Sequence, residues 1–150
     1  MNDYDNGEAL CLMRRWQDVL RLRDWDIELR IVETQWRKSA DVKIDREDKK
    51  AIVLINSHPV SDSLEELVVH ELMHIKLHDM DVMIEDLLDS LYGTEPANPK
   101  REFAFSCFMT VLESTVEDLT KACLSAAGRG DSLSFGKLQP EIDKELGQEE

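Results

Sequence analysis

Residues 63–75 constrain this chain more than any other stretch. Leu64, Leu67, Val68, Leu72 and Ile75 recur at helical spacing, the pattern of a helix buried along one side. Ser63, with Glu66 three residues later and Pro59 just before, forms a capping box that marks the helix start. Inside this helix lies Val69-His70-Glu71-Leu72-Met73-His74. Each helical residue advances about 100°, so His70 and His74 stand one turn apart, about 40° from each other, with both rings able to reach one metal ion. Glu71 points about 60° round from His74, where it flanks an ion without ligating it and is placed as general base for a metal-bound water. The competing reading is a helix whose two histidines bind nothing. With only four His in the chain, a chance match is expected on the order of once in a hundred such sequences.

The bulk properties narrow the setting. A length of 150 residues fits one domain with a real core. A net charge of -14, with 42% hydrophobic and 33% charged residues, describes an acidic globular protein. Such a chain is repelled by phosphate backbones, so direct nucleic-acid binding is not expected. No apolar run approaches the length of a bilayer span, and Met1-Asn2-Asp3-Tyr4-Asp5 is acidic where a signal peptide would be basic. The expectation is a cytoplasmic protein without a membrane partner. Cys11, Cys107 and Cys123 are odd in number, far apart and without a Cys-x-x-Cys pair, which predicts reduced, buried thiols.

Along the chain, residues 8–22 carry Leu12, Trp16, Val19 and Leu20 at helical spacing and predict a first helix. The period then changes. Trp25, Ile27, Leu29 and Ile31 alternate with Asp26, Glu28 and Arg30, as in a half-buried strand. Residues 40–45 and 51–56, joined by the charged Arg46-Glu47-Asp48-Lys49, predict a hairpin whose second strand is buried on both faces, with an edge position beside the site as the alternative. The capped helix is expected to end near residues 78–79. Residues 82–92 predict another helix, with Ile84, Leu87, Leu88 and Leu91 on one face and Gly93 stopping it. Asn98-Pro99 starts a long helix to about residue 127, with Ala104, Phe108, Val111, Thr115, Leu119 and Ala122 as its main apolar stripe. Residues 129–150 read as a polar tail, mobile or loosely docked, after a domain spanning 1–128. Arg129-Gly130-Asp131 matches a cell-adhesion tripeptide, which in a chain without a secretion signal is taken as coincidence.

Catalytic zinc usually takes three protein ligands and a water, so a third ligand is needed. His78 lies roughly 12 Å along the helix axis from His70, too far for one straight helix to close on a single ion. Position 80 is Met, so the third His of the longer metzincin pattern is missing. Glu113 and Glu117 share one side of the long helix. Met109 and Val116 lie one turn either side of Glu113, which suits packing against the metal helix, whereas Glu117 has Lys121 and Glu113 as neighbours, which suits solvent. Glu113 is the preferred third ligand; Glu117, Glu102 and His78 stay as alternatives.

The first helix, the strand Asp24-Trp25-Asp26-Ile27-Glu28-Leu29, the hairpin, the His70-Glu71-Leu72-Met73-His74 helix and the later Glu113-Ser114-Thr115-Val116-Glu117-Asp118-Leu119 resemble small zincin-like metallopeptidases of phage and bacterial genomes. Their relatives include the ImmA/IrrE and SprT-like groups, and the resemblance covers roughly residues 8–126. It implies an α+β, zincin-like fold with a small, mostly antiparallel three-stranded sheet. It also implies a gluzincin-type site in which His70, His74 and Glu113 bind Zn2+ and Glu71 is the catalytic base. The expected activity is zinc-dependent hydrolysis of a protein or peptide, with the substrate extended along a strand near residues 52–56. Tyr92, His78, His58 and Arg101 are the groups available to stabilise an oxyanion, none of them matching the family's pattern. The rival expectation is a zinc-binding but non-catalytic acidic module, a decoy for a basic or nucleic-acid-binding partner.

Overall fold

The computed structural model describes residues 6–59, 63–95, 98–129 and 138–147. The chain is α+β, in the order α1 (Asn6–Val19), β1 (Asp26–Val32), β2 (Ala40–Asp45), β3 (Lys50–Asn56), α2 (Leu64–Lys76), α3 (His78–Tyr92), α4 (Pro99–Ala126) and α5 (Gln139–Glu145). It divides into two compact units, Met1–Thr120 and Lys121–Glu150. The division falls inside α4.

β3 is the central strand of a three-stranded sheet ordered β1-β3-β2. β2 and β3 form the expected hairpin, antiparallel with Val42 opposite Val53 and Ile44 opposite Ala51. Its turn is tied by Asp45 Oδ1, which accepts from the Glu47 and Asp48 amides at 3.1 and 3.2 Å. β1 runs parallel to β3, with Ile27 opposite Ala51 and Leu29 opposite Val53. The sheet is therefore mixed rather than mostly antiparallel. After β1 the chain crosses over the end of β3 through residues 33–39 and enters the sheet on the far side, which leaves β1 and β3 pointing the same way.

One face of this sheet is the core. Ile27, Leu29, Ala51, Val53 and Ile55 are buried there, and α1 and α2 pack against the strands. Val68, Val69 and Leu72 of α2, Met13 of α1 and Val53 and Ile55 of β3 are fully buried, each such side chain contributing about 1.5–3 kcal/mol of transfer free energy. The opposite face is polar at Glu28 and Arg30 and only half-covered at Ile52 and Leu54, so β3 is not equally buried on both faces. The α1 stripe also differs from the expected one. Ala9, Met13, Trp16 and Gln17 face inward, while Val19, past the last full turn, is 60% exposed.

Three hydrogen-bonding devices fix α2 against this frame. Ser63 Oγ accepts from the Glu66 amide at 3.2 Å, the predicted N-cap. Glu65 Oε1 accepts from Trp16 Nε1 at 2.7 Å and from Arg15 at 3.4 Å, which ties the first turn of α2 to α1. Buried Asn56 donates from Nδ2 to the carbonyls of Trp36 and Lys38 at 3.1 and 2.8 Å and accepts from the His58 amide at 2.9 Å. This holds the segment entering β2 beside the strand that feeds α2.

The later helices depart from their expected rotation. α2 stops at Lys76, and Leu77, at φ -98° and ψ 3°, separates it from α3. α3 thus begins at His78, four residues earlier than its apolar pattern suggests. Among its predicted inward residues only Leu88 is buried, with Leu87 and Leu91 50% and 64% exposed. On α4, Leu112, Val116 and Thr120 are buried, whereas Val111 and Leu119 of the expected stripe are exposed. Asn98 does cap α4, its Oδ1 accepting from the Lys100 and Arg101 amides. The cysteines are free as expected, but Cys11 and Cys107 are exposed and Cys123 half-buried. Cys11 lies between the inward positions of α1, and Cys107 shares the outer face of α4 with Phe103 and Val111. α5 lies within the stretch read as a tail, with Pro140 in its first turn and Ile142 and Leu146 both exposed. Of that stretch, 130–137 and 148–150, and with them most of the Arg-Gly-Asp tripeptide, lie outside the described residues. Among the described residues no helix is long and apolar enough to cross a membrane.

Candidate metal centre

α2 is buried on most of its circumference, at Val68, Val69, Leu72, Met73 and Ile75. That packing fixes its rotation and leaves His70 and His74 on the remaining side, their side chains 21% and 18% exposed. The two imidazoles lie one turn apart with ring centroids at 5.1 Å and planes at 62°. Glu113 reaches them from the middle of α4. Its Oε2 is 3.5 Å from His70 Nε2 and its Oε1 is 3.2 Å from His74 Nε2. Ligand atoms of all three residues lie within 4.8 Å of one another.

These separations can be compared with what an ion requires. Zinc bound by nitrogen and oxygen at about 2.0–2.1 Å in a tetrahedral shell places neighbouring ligand atoms about 3.4 Å apart. Each imidazole nitrogen lies at about that distance from a different oxygen of the one carboxylate, 3.5 Å to Oε2 and 3.2 Å to Oε1. Charge points the same way. Burial pushes the His74 pKa down, reinforced by His70 and opposed by the Glu113 carboxylate, with a net lowering. A neutral imidazole presents a lone pair, the form a metal ligand needs. Two imidazoles and a carboxylate could hold a divalent metal ion.

Glu71 stands beside this group but is not part of it. Its carboxyl is 6% exposed, and burial, then the negative charges of Asp41 and Glu113, push its pKa up to about 8. Asp41 keeps its own charge. Burial would raise its pKa, but hydrogen bonds from Lys43, Lys38 and the Val42 amide hold it below the ordinary carboxylate range. Glu71, His70 and Glu117 line an open cleft of about 410 Å³ whose other wall is formed by residues 38–40, leading into β2. The cleft thus runs between α2 and the edge of the sheet.

The predicted residues sort as follows. His70, His74 and Glu113 are brought together and Glu71 is adjacent. Glu117, one turn past Glu113, lines the cleft but does not join the ligand group, and neither do Glu102 or His78. His78 belongs to the next helix. Of the candidate oxyanion groups none lines the cleft. Arg101 is held by Asp89 at 2.7 and 2.9 Å and lies over the Phe105 ring. The Tyr92 carbonyl accepts from Asn98, and His58 Nδ1 is 2.9 Å from Ser57 Oγ. Lys38 and Asp41 are parts of the surroundings that sequence reading missed. Their signal was only charge in or just before a short edge strand, which usually means solvent.

The strand suggested for substrate alignment needs correction. β3 is paired on both sides along residues 50–56, so its backbone groups are spent. β2 is the edge strand next to the cleft, because it pairs with β3 alone. The chain matches no family model, no curated protein and no solved structure, and the side-chain geometry above is what any assignment of chemistry has to satisfy.

Proposed function

We propose that the chain is a zinc-dependent peptide hydrolase with a zincin-like site. The observation that carries this reading is the convergence of ligand atoms of His70, His74 and Glu113 within 4.8 Å of one another, with the buried Glu71 alongside. His70, His74 and Glu113 would hold the ion. When bound, zinc supplies Lewis acidity, polarising a substrate carbonyl and making water nucleophilic near neutral pH.

The other steps belong to the protein. Glu71 in its charged form takes a proton from water and, as the carboxylic acid, gives it to the departing amine nitrogen. Burial favours the neutral carboxyl in the metal-free chain, and a bound cation beside it would favour the charged form that takes the proton. The free edge of β2 offers amides and carbonyls to an extended peptide, which would bring a scissile bond across the cleft mouth. Exposed Cys11 and Cys107 suit a reducing, cytoplasmic setting.

A fluorogenic peptide library, run beside metal analysis, tests the proposal. The expected result is hydrolysis by the wild type, its loss in Glu71→Gln, and one zinc per chain in both. Hydrolysis undiminished in Glu71→Gln, or a wild type without stoichiometric metal, would refute it. The second reading, a zinc-binding acidic module that cleaves nothing, draws support from the absence of Tyr92, Arg101, His58 and His78 from the cleft wall. It predicts zinc in both proteins and hydrolysis in neither.

A further inference from the structure

A second cavity, of about 350 Å³, lies at the end of α2, where the C-terminus of α1 and the β2–β3 turn come together. Lys76 in its wall projects about 160° round α2 from His74, so this is not the metal cleft. Four of its nine lining residues are Lys or Arg: Arg21, Arg46, Lys49 and Lys76. An even spread of the chain's 18 cations over 150 residues would supply about one. Two of the four are balanced locally. Lys49 Nζ is 2.7 Å from Asp24, and Arg46 Nε is 3.0 Å from Asp79. Among the described residues Arg21 and Lys76 make no ion pair within 4 Å, although the Lys76 charge, after that of Lys49, helps to hold Asp24 below the ordinary carboxylate range. A chain of charge -14 therefore carries a cavity with two surplus positive charges.

Backbone conformation supplies a second observation. Arg21 and Lys49 are the described non-glycine residues with positive φ, at 59° and 51°, and both line this cavity. Arg21 follows the last turn of α1, where the Leu22 amide bonds to the Gln17 carbonyl at 2.9 Å, a closing turn that ordinarily takes glycine. Lys49 ends the β2–β3 turn, where glycine or asparagine is the usual choice. At both sites the chain carries a long cation against the local backbone preference, and both residues line one cavity.

We propose that this cavity binds a phosphate dianion, free or carried by a small molecule. Arg21 and Lys76 would contact the phosphate oxygens, and the half-buried Trp25 in the wall would take an organic part. A long polyanion is disfavoured by the net charge of the rest of the surface, whereas a small dianion is not.

Calorimetric titration of the full chain with inorganic phosphate and, separately, adenosine monophosphate tests this at low ionic strength. Saturable binding of one equivalent is expected, weakened about tenfold or more in Arg21→Gly and in Lys76→Gln. Arg21→Gly relieves a strained φ, so loss of binding there cannot be ascribed to misfolding. Equal affinities assign free phosphate as the ligand; tighter adenosine monophosphate assigns a phosphomonoester with a ring on Trp25. His74→Ala should bind the anion as the wild type does. No saturable binding of either probe, wild-type affinity in Arg21→Gly, or loss of binding in His74→Ala would overturn the proposal.

Discussion

Glu71→Gln in chelator-treated protein should make the fold less sensitive to alkali. Glu71 is an acid whose pKa lies at about 8 in the folded chain against an ordinary 4.5, chiefly because burial penalises its charge. Between those values the folded state holds a proton that the unfolded state has released. Stability contributed by the neutral carboxyl is thus fully present below pH 4.5 and is lost as pH rises through about 8. Within that window the folding constant falls by up to tenfold per pH unit, and the whole interval corresponds to at most about 5 kcal/mol. Glutamine keeps the shape and cannot ionise, so it escapes the loss. Urea denaturation followed by tryptophan fluorescence, from about pH 5 to about pH 9, should show the variant gaining on the wild type steadily and levelling off beyond about pH 8. Adding zinc should shrink the difference, because a cation beside Glu71 favours its charged form. Parallel stability curves for the two chelated proteins would refute the reasoning.

Other perturbations follow from named contacts. Glu113→Ala removes one of three proposed ligands and should weaken zinc binding by more than the roughly 10–100-fold typical of losing an outer-shell partner, while Glu117→Gln should change it little; competition with a chromophoric chelator reads both. Glu65→Gln replaces the charged acceptor of the Trp16 and Arg15 bonds and should lower the unfolding free energy by about 1–2 kcal/mol in denaturant titrations. Asn56→Ala strips three hydrogen bonds from buried or half-buried groups and should cost about 3 kcal/mol, with faster amide exchange at the start of β2.

What was legible in the sequence was what is local. The Ser63 cap, the alternation of Ile27 and Leu29, the charged turn at residues 46–49 and the Asn98 cap each depend on a few neighbouring residues, and each is found where the pattern put it. The pairing of His70 and His74 follows from helix geometry alone. Strand order was not legible, since a period of two says which face is buried and nothing about which partner lies alongside. That is why residues 52–56 were expected to align a substrate although β3 has no free edge. The rotation of α4 was misread because its apolar residues surround it, with Phe103, Cys107 and Val111 on one side and Leu112 and Val116 on another. Only tertiary packing chooses between them. Glu113 nonetheless came out of its local surroundings, since Val116, one turn away, belongs to the side that packs inward. The basic cavity was invisible beforehand, because Arg21, Arg46, Lys49 and Lys76 come from three separate elements or turns.

Zinc-edge X-ray absorption of the purified chain tests the ligand set most directly. The expected spectrum has only nitrogen and oxygen neighbours, at about 2.0–2.1 Å, with outer scattering from two imidazoles. A sulfur shell at about 2.3 Å, scattering from fewer than two imidazoles, or no stoichiometric zinc to measure would contradict it.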